Sequence, residues 1–379
     1  MLPRNRSWLL TRLLLLVVFA SLFLTACSRA LNNGSWPGLS VDGDLVYVAR
    51  GTDVRAVNIA DRQEIWKYPA EPRAQLNFFA RPALDGDQIF LGDYGASGGF
   101  FSPAVIVSVY ALNNGGAGAP SDGWTNADVA SDRIIAAPAA ADGRVYVPTA
   151  DNFLFALDGQ TGAEIWSFEA GHSFWAQPLV VDGVIYQSSM DHNVYALNSS
   201  DGTVLWQSQM NGAVPSAPTY VDGTLYVGTF GGVLHALDAS SGEELWAYEA
   251  DDWIWSTPSV VDDMILFADG SGNVYAISTS GGEELWRQQA KGAVQAAILV
   301  HDGVAYVGAV GLEDEAVGQI LALDLSDGSI IWEKPTLAPI YADMVIAADA
   351  LVVAESSEEA LLVVYDLENG AEIWKYLPE

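Results

Sequence analysis

The sequence predicts an all-β fold, an eight-bladed β-propeller of four-stranded antiparallel blades, and three observations carry that prediction. First, a unit of about 40 residues recurs, closing on Trp66, Trp124, Trp166, Trp206, Trp246, Trp286, Trp332 and Trp374 with gaps of 58, 42, 40, 40, 40, 46 and 42 residues. Second, each copy opens on a turn of Asp-Gly type, beginning at Val41, Leu84, Ala141, Val181, Val221, Val261 and His301 and degraded at Ala348. Third, no stretch beyond the N-terminal apolar run sustains a 3.6-residue apolar period, so helix is not expected. A four-stranded unit cannot bury both of its faces alone, and radial stacking of such sheets closes a propeller.

The elements follow in chain order. Residues 1–26 predict a signal peptide, because Arg4, Arg6 and Arg12 precede an apolar run, residues 13–24, that is too short for an ordinary spanning helix. The tetrad Leu-Thr-Ala-Cys at 24–27 resembles the lipobox of bacterial lipoproteins, which implies lipidation of Cys27, the chain's single cysteine. An uncleaved anchor with an incidental cysteine is the alternative, and either reading places the remainder outside the cytoplasm. Ser28 in place of Asp permits outer-membrane delivery by the same resemblance, so a lipid anchor in the cell membrane or the outer membrane is expected. Residues 27–34 form a lipidated linker and 35–379 the propeller.

Within a copy, Asp222-Gly223 separates two apolar runs, the cue for a tight hairpin whose central residues need positive φ. Gly231-Gly232 then turns the chain into a third strand, and residues 240–244 turn it into a fourth that ends near Trp246. The first and last copies both supply all four strands, which leaves the mode of ring closure open.

Half of the residues are hydrophobic, enough for a sizeable core, and 48 acidic against 16 basic residues give a net charge of -32. Such a field repels nucleic acid, so no nucleic-acid partner is expected.

Residues 156–166 resemble the tryptophan-docking motif of quinoprotein-type, PQQ-like propellers, through Ala156, Asp158, Gly162 and Trp166. The same frame holds Ala196, Asn198, Gly202 and Trp206, then Ala236, Asp238, Gly242 and Trp246, and Ala322, Asp324, Gly328 and Trp332. The Asp or Asn can bond loop amides, the Gly supplies positive φ, and the Trp fills the gap to the adjacent blade. Arg62 replaces the Gly in the first copy, Ser278 replaces the Asp in the sixth, and the second carries extra residues, 113–127, as a loop or an edge decoration. The relatives that are dehydrogenases hold pyrroloquinoline quinone and calcium, and the alcohol enzymes add an adjacent cysteine pair or a haem segment. This chain has neither and is much shorter, so the expectation is a non-enzyme without cofactor, with a PQQ-dependent dehydrogenase as an alternative.

No other chemistry has a visible owner. His172, His192, His235 and His301 fall one per copy without metal-ligand spacing, so no metal site is expected. His235 takes the slot of Phe155, Tyr195 and Tyr275 and reads as an aromatic packing substitute. The glycine-rich 95–100 leads into strand-like sequence rather than a helix, and the acidic 313–315 reads as a solvated loop.

Function is expected where copies differ, in the segments joining one copy to the next: 171–178, 212–218, 251–258 and 292–298. Trp175 and Trp255 share a position held elsewhere by Pro215 and Gln295. Phe174, Trp175, Trp253 and Trp255 are expected to form an aromatic rim that anchors a partner, or else to cap the blades. In lipobox, length, blade number and docking motifs the chain resembles the BamB lipoprotein family. That resemblance implies a lipid-anchored accessory of outer-membrane β-barrel assembly, a monomer within a complex, with a protein partner at the cell envelope. A general extracytoplasmic ligand-binding or sensing propeller is the alternative.

Overall fold

The computed structural model describes residues 37–71, 73, 76–97, 105–115, 118–311, 317–355, 357 and 359–378. The expected signal peptide, Cys27, the linker and the acidic 313–315 lie outside the described residues.

Among the described residues there is no helix, and the strands form eight four-stranded antiparallel sheets plus one two-stranded hairpin. The blades span 38–68, 83–126, 139–169, 179–209, 219–249, 259–289, 299–335 and 345–376. In each, the sequence order of the strands runs from the innermost to the outermost. The inner strands touch those of neighbouring blades, and Gly38–Asp42 of the first blade meets Val345–Ala347 of the eighth. Every sheet is built from one copy alone, so the ring closes by packing rather than by strand exchange.

The core lies between blades. One buried cluster joins Val46, Val48 and Val57 of the first blade to Val352, Leu362 and Val364 of the eighth, and equivalent clusters fill the other seams. The hairpin cue is realised in the third to fifth and seventh copies, where Asp and Gly both take positive φ, as at Asp222 (47°) and Gly223 (83°). In the first two copies the triplets Asp42-Gly43-Asp44 and Asp85-Gly86-Asp87 let the pairing slip by one residue. Asp42 pairs with Leu45 and Asp85 with Gln88, so that Gly43 and Gly86 lead the turn.

The extra residues of the second copy supply its outer strand, Ser121–Asn126, which carries Trp124. From its glycine-rich segment, Ala96–Ser97 pair with Val105–Ile106, and residues 98–100 lie outside the described residues. Each outer strand bulges just before its tryptophan. In the fourth blade Ala196 faces Trp206 and Leu197 faces Val204, which leaves Leu205 turned outward and half exposed. The bulge lets the tryptophan face the next blade and makes the strand a poor template for further pairing.

The docking tryptophans lie against the following blade. The Trp166 indole N–H donates to the Ser199 carbonyl at 3.1 Å, Trp206 to Ala239 at 2.9 Å, Trp286 to Leu325 at 2.9 Å and Trp332 to Leu367 at 3.0 Å. Trp124 donates to Gly159 at 2.9 Å, and Trp246 packs against the core it shares with the sixth blade. Trp66 joins the cluster containing Ile89 and Leu112 of the second blade. At the ring-closing seam Arg62 holds the glycine position at φ 59°, and Trp374 packs against the shared cluster. There Arg55, nearly buried, pairs with Asp53 and Glu64 and reaches the Tyr376 hydroxyl of the eighth blade at 3.4 Å.

Candidate functional site

The segments joining successive blades all gather on one face, and their hydrogen bonds explain why. The Phe174 N–H donates to Thr149 of the blade before it, and Met190 of the blade after donates back to Ser173. Ile254 and Gly270 repeat the arrangement with Thr229 and Trp253. Each joining segment is thus stapled to the turns of both blades, and its side chains are placed by register.

That register alternates strictly. One position points into the seam between blades and is filled by Phe78, Ile134, Phe174, Val214, Ile254, Val294 and Ile340, all essentially inaccessible. Phe174 is therefore not part of a partner-binding rim: it is a core residue, and this corrects the sequence expectation. The next residue points to the mouth of the central channel. Phe79, Ile135, Trp175, Pro215, Trp255, Gln295 and Tyr341 stand there around a funnel of about 350 Å³. Two residues further on a second tier forms the floor: Arg81, Ala137, Gln177, Ala217, Thr257, Ala297 and Asp343. The first blade's mouth residue lies outside the described residues.

Trp175 and Trp255 come together across the small Pro215, their ring centroids 5.8 Å apart. Trp255 also meets Phe230 at 5.3 Å and Trp253 at 6.3 Å, and Phe230 meets Trp253 at 6.1 Å. Trp253 lies flat against Gly270, where any side chain would collide with its indole. Three of the four expected rim residues thus form one aromatic patch across the fourth to sixth blades. Phe230 is its fourth member and escaped the sequence reading because it sits in a turn inside a blade. Its signal was available, since the aligned positions are Ala150, Met190 and Gly270.

His235, in the third strand of the same blade as Phe230, is almost buried. Its Nδ1 is 2.6 Å from Glu244, and its Nε2 is 3.1 Å from the Asn211 oxygen that also accepts the Thr229 hydroxyl. It is a hydrogen-bonded anchor of the turn bearing Phe230, not the plain packing substitute expected from its slot. His172 contacts Ser173, His192 holds a turn at φ 72°, and His301 lies 3.4 Å from Asp302.

The floor of the funnel carries its charge. Arg81 donates to the Gln177 oxygen, and its Nη1 stands 3.7 Å from Asp343. Gln177 donates to the Pro138 carbonyl, and the Ala297 N–H donates to Asp343. A carboxylated quinone with its calcium would need several cations and a cluster of acidic oxygens converging on the mouth. Among the described residues, Arg81 and Asp343 are the only charged ones lining it. Among the described residues no three His, Cys, Asp or Glu side chains converge on a metal position. The residues present do not fit that group.

Residues 107–252, 193–339 and 252–378 match the family described as outer membrane protein assembly factor BamB, and together these matches run from 107 to 378. No curated protein matches in sequence. Among solved structures, BamB from Moraxella catarrhalis is similar with 18% identity over 84% of this chain and 92% of its own, at a TM-score of 0.65. The computationally designed Ika8 protein is similar with 13% identity over 91% and 98%, at 0.69. A europium-containing methanol dehydrogenase is similar with 14% identity over 78% and 77%, at 0.63. At such identities the likeness to these structures establishes the propeller alone.

Proposed function

Since the chain belongs to the family of the outer membrane protein assembly factor BamB, we propose that it is a non-catalytic scaffold that binds a protein partner of the outer-membrane β-barrel assembly machinery. The docking surface is the aromatic patch of Trp175, Trp253, Trp255 and Phe230. The observation that carries this reading is that three blades converge on one aromatic surface at positions the fold does not require to be aromatic. Equivalent positions in other blades hold Ser173, Pro215 and Ala150. Aromatic residues of this kind dominate binding energy because they bury large area at low entropic cost. Lipidation at Cys27 holds the chain at the envelope, where the partner is encountered.

The test is capture of the purified barrel-forming subunit from the same genome by the full-length lipoprotein. Trp253→Ala combined with Phe230→Ala is expected to weaken capture by roughly tenfold or more, with unfolding still cooperative. Undiminished capture by a folded double variant would remove the patch from the reading. Absence of capture by the unaltered chain would remove the partner.

A further inference from the structure

The mouth of the channel breaks the repeat in a regular way. In the second, fourth, sixth and eighth blades the joining segment carries an aromatic residue and, two positions on, a polar one: Phe79 and Arg81, Trp175 and Gln177, Trp255 and Thr257, Tyr341 and Asp343. In the third, fifth and seventh blades the same positions carry Ile135 and Ala137, Pro215 and Ala217, and Gln295 and Ala297. A propeller built of equivalent blades needs no such alternation. What it produces is a wall of large rings, separated by the non-aromatic Ile135, Pro215 and Gln295, over a floor in which polar side chains alternate with alanine. Arg81 reaches across Ala137 to Gln177 of the fourth blade and toward Asp343 of the eighth, so the floor spans the channel.

The floor states which ligand chemistry it accepts. Among the described residues its one guanidinium and one carboxylate compensate each other, and the protein's net charge of -32 disfavours anions. A ligand carboxylate or phosphate would meet Asp343, and an ammonium would meet Arg81. The two groups stand 3.7 Å apart, beyond direct hydrogen bonding. A hydroxyl satisfies both at once, accepting from the guanidinium while donating to the carboxylate. Flat rings above such a floor stack on the C–H face of a pyranose. Concave apolar walls with a few convergent polar groups are the usual form of a small-molecule site.

We propose that the channel mouth is a saccharide-binding site, in which a neutral pyranose stacks on Trp175 and Trp255 and places its hydroxyls between Arg81 and Asp343. The inference goes beyond protein docking. It uses the floor of the funnel, whereas Phe230 and Trp253 form the outer part of the patch.

The experiment is a titration of the full-length protein with cellotriose, maltotriose and tri-N-acetylchitotriose, read by calorimetry and by saturation-transfer NMR. Choline and citrate serve as the cationic and anionic probes. At least one saccharide is expected to bind saturably, with transfer strongest at its ring C–H protons. Asp343→Asn and Arg81→Gln are half exposed and spare the core, and each is expected to weaken binding about tenfold with unchanged thermal unfolding. Trp175→Ala is expected to abolish the transfer. No saturable binding by any of the three saccharides, preference for choline or citrate, or wild-type affinity in both floor variants would each overturn the proposal. Trp175 and Trp255 belong to both readings, but Trp253→Ala with Phe230→Ala leaves the floor untouched and the two floor variants leave the outer patch untouched, so either reading can fail while the other stands.

Discussion

At the scale of single residues, the glycine of the docking motif has two separable jobs. Gly202 sits at φ 73°, and a methyl group there would stand 2.6 Å from the Trp166 ring. Gly223 shares the backbone demand at φ 83° but has nothing within 4 Å of such a methyl. Gly223→Ala is therefore expected to cost about 1 kcal/mol, and Gly202→Ala at least twice that, because it also pushes the indole out of its slot. Trp166→Ala should cost about 3–5 kcal/mol through the cavity it leaves. Urea unfolding of the three variants checks this, and equal losses for the two glycine variants would refute the lock. The aspartate of the motif is tuned by its turn. The Thr161 hydroxyl, then backbone N–H groups, hold the Asp158 carboxyl below its ordinary range. In the sixth copy Ser278 makes a weaker turn with Ser280. All of these positions were legible in the sequence because the motif is local. Phe174 was not, because two adjacent aromatic residues in an irregular segment carry no periodicity to say which one faces the core.

At the scale of elements, the joining segments are held by residues at the end of each second strand, and the eighth blade does this with a buried carboxyl. Glu355 accepts from the Leu337 N–H at 2.6 Å and from the Tyr365 hydroxyl, tying the incoming segment to the third strand. Burial raises its pKa above the ordinary 4.5, against the pull of those two donors. A carboxyl raised in the folded state favours folding less as pH rises through the interval between its unfolded and folded pKa values. Thermal unfolding of Glu355→Gln, compared with the parent, should therefore show a relative gain as pH climbs from about 4.5 toward neutrality, and none below. A gap between the two proteins that does not change with pH would show that folding leaves the carboxyl's pKa where it is in the unfolded chain. The tight turns taught a related lesson about register. Asp-Gly marks them correctly, yet an Asp-Gly-Asp triplet permits two pairings, and in the first two copies the strands chose the one led by glycine.

At the scale of the whole molecule, two of the eight seams lack the glycine lock among the described residues, the first-to-second seam beneath Trp66 and the eighth-to-first seam beneath Trp374. Six glycines, from Gly162 to Gly370, each lie beneath the tryptophan of the preceding blade, while the eighth-to-first seam has Arg62 in that place and the Arg55 network beside it. Arg55→Ala leaves Asp53, Glu64 and Tyr376 without their cation and is expected to cost about 1–3 kcal/mol. Its hydrogen-exchange protection should fall first in the first and eighth blades. A uniform loss around the ring would show that closure is no weaker there than elsewhere. The sequence by itself determined the blade number, the four strands of each blade, the turns and the docking tryptophans. It could do so because each of these depends on residues within about 40 positions of one another and is written eight times. Only the tertiary structure decided what the channel mouth holds. Phe79, Arg81, Trp175, Gln177, Trp255 and Asp343 come from distant parts of the chain, and the curvature of the closed ring alone brings them to one funnel.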